Sequence, residues 1–88
     1  MIRTPFGAAT LVEEVKVLQS AADASFASLV QLLETEGGDA LVRVCYSTGG
    51  VARRGPVTFR RADLRRLGKM LAKAPRLRAI VEEAAPPR

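Results

Sequence analysis

Apolar and polar positions alternate most clearly near the middle of the chain, in residues 40–48. In this segment, ALVRVCYST, apolar residues on one side alternate with Arg43, Cys45 and Ser47 on the other. A period of two residues is typical of a half-buried strand. Residues 56–60, PVTFR, predict a second short strand, and the glycines between the two segments favour an antiparallel hairpin.

The same alternation predicts which side chains of the first strand are buried. Tyr46 is in phase with Val42 and Val44, so we expect it to pack in the core. Cys45 falls on the polar side and is expected to be exposed. Because no neighbour in the sequence marks Cys45 as a nucleophile, we interpret it as chemically inert.

From Arg61 onward the apolar period becomes that of a helix. Leu64, Leu67 and Leu71 recur at helical spacing, and Pro75 is expected to kink the helix or restart it after a break. We interpret the opposite side as a solvated basic face. This basic row has a four-residue spacing and consists of Arg61, Arg65, Lys69 and Lys73.

Residues 11–36 allow two interpretations. Their apolar positions fit a long helical stripe, Thr10 with Glu13 resembles a capping box, and Gly37 suits a helix end. The alternative is a pair of strands, EEVKVLQS and FASLVQLLETE, joined around AADAS. The pattern by itself leaves both open.

Length and composition predict one small domain without a cofactor. The 88 residues argue for a single domain, 1–88, with a core over 11–83 and short flexible tails at 1–10 and 84–88. A domain of this size buries only about 60–65% of the surface of its unfolded chain, so self-association would add needed burial. One cysteine and no histidine exclude a disulfide and a histidine–cysteine metal cluster. No apolar run approaches a membrane span of about 18 residues, and we expect a cytoplasmic protein with no membrane contact.

Charge is divided unequally between the two halves of the chain. Residues 1–40 hold two basic residues against six acidic ones, whereas residues 41–88 hold twelve against three. Such asymmetry points to a polyanionic partner, although a solvated surface in an arginine-rich protein is the competing interpretation. Catalysis is not expected, because the chain lacks histidine, carboxylates paired at a spacing that suits acid–base catalysis, and a phosphate-binding loop.

The order of these segments resembles a known family. The run EEVKVLQS, SFASLVQLLETEGGDALVRVCYST and RRGPVTFRRADLRRLGKML is similar to the positive cofactor four family of transcriptional coactivators, particularly its small bacterial members, over residues 13–74. The resemblance implies an α+β fold, a curved four-stranded antiparallel sheet followed by one C-terminal helix. It also implies a homodimer formed through the helices and single-stranded DNA bound across the sheets. On this view residues 11–36 are strands.

The resemblance also implies which residues contact nucleic acid. Cys45 and Ser47 stand where family members carry aromatic or basic residues, and Thr35 stands where an aromatic is expected. Base stacking, worth about 1–3 kcal/mol per base, is therefore reduced, and arginines remain to grip phosphates. Candidate contacts are Lys16, Arg43, Arg53, Arg54 and Arg60, and candidate dimer contacts are Leu64, Leu67, Met70 and Leu71.

We therefore expect a non-enzymatic, dimeric protein that binds single-stranded DNA, with RNA as a competing ligand, independently of sequence. It would be an accessory of transcription, replication or repair. Within it, Arg53 and Arg54 beside Gly55 form either a phosphate clamp or a solubilising loop tip. The alternative function is a protein–protein adaptor of α-β-β-α architecture, whose basic half docks an acidic partner.

Overall fold

A computed structural model describes residues 1–22, 24–48, 51–52 and 56–85. In the described residues six strand segments precede two helices, which confirms the α+β class, whereas the family resemblance implied four strands and one helix. The elements are β1 (Ile2–Thr4), β2 (Gly7–Ala21), β3 (Ala24–Thr35), β4 (Ala40–Thr48), β5 (Val51–Ala52), β6 (Val57–Arg60), α1 (Arg61–Leu71) and α2 (Pro75–Ala84).

The strands form one antiparallel sheet in the order β1-β2-β3-β4, after which β5 and β6 both pair with the free edge of β4. The sheet is therefore five strands wide rather than four, although it contains six segments. The additional strand is β1, which pairs with the beginning of β2. Residues 1–10, expected to be a tail outside the core, instead hold β1 and the start of β2.

A tight turn explains why β1 folds back. Gly7 has a φ of 106°, a conformation that favours glycine. The Thr4 hydroxyl donates a hydrogen bond to the Gly7 carbonyl at 2.7 Å and accepts one from the Phe6 amide at 3.0 Å. These contacts fix the reversal and bring Ile2 opposite Ala9.

Residues 11–36 are strands, so the helical interpretation of this segment is wrong, and with it the α-β-β-α architecture. β2 and β3 pair from Ala9↔Thr35 to Ala21↔Ala24, and β3 pairs with β4 along its other edge. The local helical stripe would place its apolar residues on one side, whereas the strands distribute them over both faces of the sheet. Backbone pairing with partners distant in sequence overrides the local preference.

All eight buried residues in the described part of the chain lie on one face of the sheet, which we call the inner face. They are Ala9, Ala27, Leu29, Gln31, Leu33, Leu41, Cys45 and Ser47. The sheet covers this face by curling: Ile2 of β1 packs against the cluster that contains Leu41 of β4. The turn residue Phe6 at one edge also reaches Arg60 at the other edge, 4.7 Å from the ring centre.

The predicted assignment of buried and exposed sides in β4 is wrong. Cys45 is buried, with 5% of its surface exposed, whereas Tyr46 and Val44 lie on the opposite, outer face and are 36% and 38% exposed. Alternation identifies two faces but not which one is covered. All buried residues of the described chain lie on the inner face, whereas Val44 and Tyr46 on the outer face are exposed.

The start of the helical period correctly places the start of α1, and Pro75 restarts the helix rather than kinking it. α1 starts at Arg61, its last carbonyls accept hydrogen bonds from Lys73 and Ala74, and a new helix starts at Pro75. No residue in the described part of either helix is buried. Neither helix is long and apolar enough to cross a membrane.

The position of Cys45 gives a test of the inner face. A thiol reagent should modify the folded protein at least tenfold more slowly than the urea-unfolded protein, because burial shields the sulfur. The measurement is the rate of chromophore release from an aromatic disulfide at neutral pH. Reaction of the folded protein at the rate of a free cysteine would show that β4 presents its other face to the core.

Candidate nucleic-acid interface

A polar row crosses the inner face from strand to strand. The pairing places Glu14 of β2 opposite Gln31 of β3, Gln31 opposite Arg43 of β4, and Arg43 opposite Thr58 of β6. The Gln31 amide donates to a Glu14 carboxylate oxygen at 2.6 Å, and the Arg43 Nε donates to the Gln31 carbonyl oxygen at 2.7 Å. The Gln31 amide therefore links the Glu14 carboxylate on one side to the Arg43 guanidinium on the other.

This row fixes the orientation of Arg43. Gln31 is 5% exposed, and no buried side-chain nitrogen or oxygen in the described residues lacks a hydrogen-bond partner. Because Glu14 accepts from the amide nitrogen, the Gln31 oxygen is directed toward the guanidinium. Within the described chain Arg43 uses only its Nε in hydrogen bonds, so its two terminal nitrogens are available to an acceptor such as a phosphate oxygen.

Three of the five predicted contact residues share the inner face. Lys16 pairs with the buried Leu29, and Arg60 pairs with the buried Leu41, which places both on the same side as Arg43. The remaining two predicted contacts, Arg53 and Arg54, lie outside the described residues.

Arg60 takes part in a cluster at one end of the inner face. Its Nε and Nη2 donate to the two oxygens of Asp63 at 2.9 and 3.1 Å, and its backbone amide donates to the same carboxylate at 3.0 Å. Arg66 makes a longer contact of 3.4 Å to Asp63. The Phe6 ring lies against the Arg60 guanidinium, a cation–π arrangement.

The charges of this cluster stabilise one another. Hydrogen bonds from the Arg60 side chain and backbone lower the pKa of Asp63 from 3.8 to about 2, and the carboxylate in turn raises the pKa of Arg60. Asp63 also caps the first turn of α1, which offsets the unfavourable effect of arginines at the positive end of a helix.

A cavity of about 400 Å³ adjoins the cluster, between the β1–β2 turn, the β3–β4 turn and the start of α1. Sequence reasoning missed Phe6, which lines this cavity, because it placed residues 1–10 in a tail. The available signal was the Thr-Pro-Phe-Gly turn composition. The other lining residues include Thr35, Asp39, Leu41, Arg60 and Arg61.

The predicted dimer residues lie on α1 with different exposure. Leu64 and Leu71 are partly buried, whereas Leu67 and Met70 are 43% and 53% exposed. All four residues of the basic row are exposed, three of them in α1 and Lys73 just after it. No group of histidine, cysteine, aspartate or glutamate side chains that could hold a metal ion occurs in the portion of the chain described.

Comparisons with protein-family models, with curated proteins and with solved structures each returned no match for this chain.

The Asp63 cluster predicts a specific acid sensitivity. Because the pKa of Asp63 is about 2 in the folded protein and near 3.8 when unfolded, its stabilising contribution is complete above about pH 4 and is lost as the pH falls toward 2. Thermal unfolding of the wild type and of Asp63→Asn should therefore differ most above about pH 4 and converge near pH 2. A difference that is constant across this range would contradict the ionised cap.

Proposed function

We propose that this protein is a non-enzymatic homodimer that binds single-stranded DNA, without sequence preference, along the inner face of its curled sheet. The observation that carries the proposal is the polar row, which holds Arg43 in place through Gln31 and Glu14 and leaves its terminal nitrogens for a ligand. Lys16 and Arg60 on the same face add two further positive charges. Arg53 and Arg54 remain proposed contacts in the connection beyond β5.

The size and curvature of the inner face favour a single strand over a duplex. Five strands at about 4.8 Å spacing span roughly 19 Å, and the sheet curls within that width. A stiff double helix cannot follow a surface that curls within that width, whereas one flexible strand can. Basic groups that contact phosphates carry no base code, so binding is expected to be independent of sequence.

The distribution of charge and the family resemblance support the same ligand. Twelve of the fourteen basic residues lie in residues 41–88, the half that contains β4, β6 and both helices. The resemblance to the positive cofactor four family spans residues 13–74, and in that family the corresponding sheet binds single-stranded DNA. An accessory role in transcription, replication or repair is consistent with this ligand.

The extent of the exposed surface supports the homodimer. The single chain exposes 7070 Å², against about 5,000 Å² for a compact monomer of 9.5 kDa. Its radius of gyration is 14.6 Å, against about 12 Å for a compact chain of this length. The excess of roughly 2,000 Å² per chain matches what an obligate dimer interface covers.

Two of the exposed apolar surfaces could be covered by a dimer formed through the helices. One is the outer face of the sheet, where Val15, Val30 and Val57 are 62%, 40% and 50% exposed. The other is the apolar side of the helices, where Leu67 and Ile80 are 43% and 65% exposed. A second copy that packs its helices against these surfaces would bury both.

The helix-mediated dimer predicts a mass of at least twice 9.5 kDa by sedimentation at micromolar concentration. Leu67→Asp should dissociate it, because a charge buried in an apolar interface is strongly unfavourable. Lys69→Asp, on the exposed row of the same helix, is the matched control and should leave the dimer intact. If the wild type sediments as a monomer, the proposed dimer is wrong.

DNA binding predicts a preference for single strands and a steep salt dependence. With about four to six phosphates neutralised per site, the logarithm of affinity should fall with the logarithm of salt concentration with a slope of roughly −3 to −4. Fluorescence anisotropy with a labelled oligonucleotide measures both. Equal or tighter binding to a duplex of the same length would overturn the single-strand proposal.

The same assay identifies the binding face through Arg43→Ala and its control Arg65→Ala, which remove equal charge. Arg43→Ala should weaken binding at least tenfold, because it removes a charge-assisted hydrogen bond to phosphate worth about 1.5–3 kcal/mol. Arg65 lies on the exposed helix row, so its loss should change affinity less than about threefold at physiological salt. Melting curves verify that both variants are folded, and equal losses would indicate a diffuse basic field.

A further inference from the structure

Strand β2 has one edge that is nearly unpaired. Along one side it pairs with β3 from Ala9 to Ala21, but along the other side it pairs with β1 only from Gly7 to Ala9. Among the described residues nothing pairs with the second edge over residues 10–21. Alternate backbone amides and carbonyls of a long strand therefore face outward, which is the template for pairing with another chain.

The side chains of this edge strand are unusually apolar for a surface exposed to water. Val15, Val17 and Leu18 are 62%, 54% and 81% exposed. Natural edge strands are commonly protected by proline, by a bulge or by charge. β2 has one bulge near Val12, after which it runs regularly to Ala21 without proline or glycine. Its charges beyond the bulge are of both signs.

We propose that two copies of this chain pair through β2, antiparallel and about a two-fold axis at Val15, so that their sheets join into one. Such a dimer is isologous, because each copy contributes the same edge. The axis is perpendicular to the sheet, so both inner faces lie on the same side. This surface is separate from the helices and does not depend on the DNA-binding proposal.

The arrangement of charge selects the register. Inner-face residues oppose inner-face residues, and beyond the bulge these are Glu14, Lys16 and Leu18. An axis at Glu14 or at Lys16 would place identical charges opposite each other, which is unfavourable. An axis at Val15 places Glu14 opposite the partner subunit's Lys16, and this favourable pair occurs twice.

The same register covers the most exposed part of the strand. Leu18 lies opposite the partner subunit's Val12, and Val12 is itself 51% exposed. Val15 faces the partner's Val15 on the outer face, and such cross-strand apolar pairs stabilise a sheet. Because α1 follows β6 at the far side of the sheet, the helices and the β2 edge can engage different copies. A helix-mediated dimer would then carry two open β2 edges and extend into larger assemblies.

A symmetric cross-link tests this register. In a Cys45→Ala background, Val15→Cys places two thiols directly opposite each other, at about 4.5–5.5 Å between Cα atoms, within the range that a disulfide bridges. Val17→Cys is the matched control, because it is similarly exposed on the same face. In the proposed register the two Val17 positions are four residues apart along the strands, about 13 Å, which is too far for a disulfide.

Under mild oxidation, Val15→Cys should form a disulfide-linked 19 kDa species on a non-reducing gel, at least fivefold faster than Val17→Cys, at a protein concentration of about 10 μM. Equal rates would indicate random collisions and overturn the pairing. Faster cross-linking of Val17→Cys would overturn the register. If the edge instead binds a strand of an unrelated protein, the thiols of Val15→Cys would stay free, and the pairing of two copies would be overturned.

Charge reversal supplies a second measurement in the same assay. In the proposed register, Lys16→Glu turns both Glu14–Lys16 pairs across the interface into pairs of like charge. It should therefore slow cross-linking of Val15→Cys at least fivefold. The combination Glu14→Lys with Lys16→Glu exchanges the two signs and should restore the rate, although it breaks the hydrogen bond between Glu14 and Gln31. Melting curves confirm folding, and failure of the double exchange to restore cross-linking in a folded protein would overturn the charge-matched register.

Discussion

The fold depends on the inner face of the sheet being buried by the curvature of the sheet itself. Neither described helix contains a buried residue, so the buried side chains of the described chain all come from the strands. Ile2 packs against the cluster of Ala9, Leu33 and Leu41, and the contact of Phe6 with Arg60 brings the two sides of the sheet together. Curvature of this kind buries few side chains, so a single chain has a limited core.

The polar row follows from this arrangement. Gln31 is buried between Leu29 and Leu33 and needs partners for both ends of its amide, because an unsatisfied buried polar group is destabilising. Glu14 and Arg43 supply them from the two neighbouring strands. The requirement that holds the fold together thus also holds a guanidinium in a fixed position on a curved, basic surface. The proposed binding function uses a group that the fold has already oriented.

Incomplete burial also explains why several apolar surfaces stay exposed in the single chain. The outer face, the apolar side of the helices and the edge of β2 are all exposed in one chain, and they face different directions. Each is of a kind that a second copy can cover, by packing or by strand pairing. The two proposals engage different surfaces of the chain, and together they would allow assembly beyond a dimer.

Sequence alone determined the elements whose signals are local. The alternation in β4, the break at Pro75 and the leucine spacing of α1 depend on neighbours a few residues apart, and the structure confirms them. It also placed Lys16, Arg43 and Arg60 in one set of candidate contacts, which the structure finds on one face. The apolar pattern of residues 11–36 left helix and strands open and the family resemblance implied strands, which the structure confirms through pairing with partners far along the chain. Only curvature decided that Cys45 is inside and Tyr46 outside, and that Phe6 meets Arg60, since a period of two residues defines two faces without stating which one the sheet will close around.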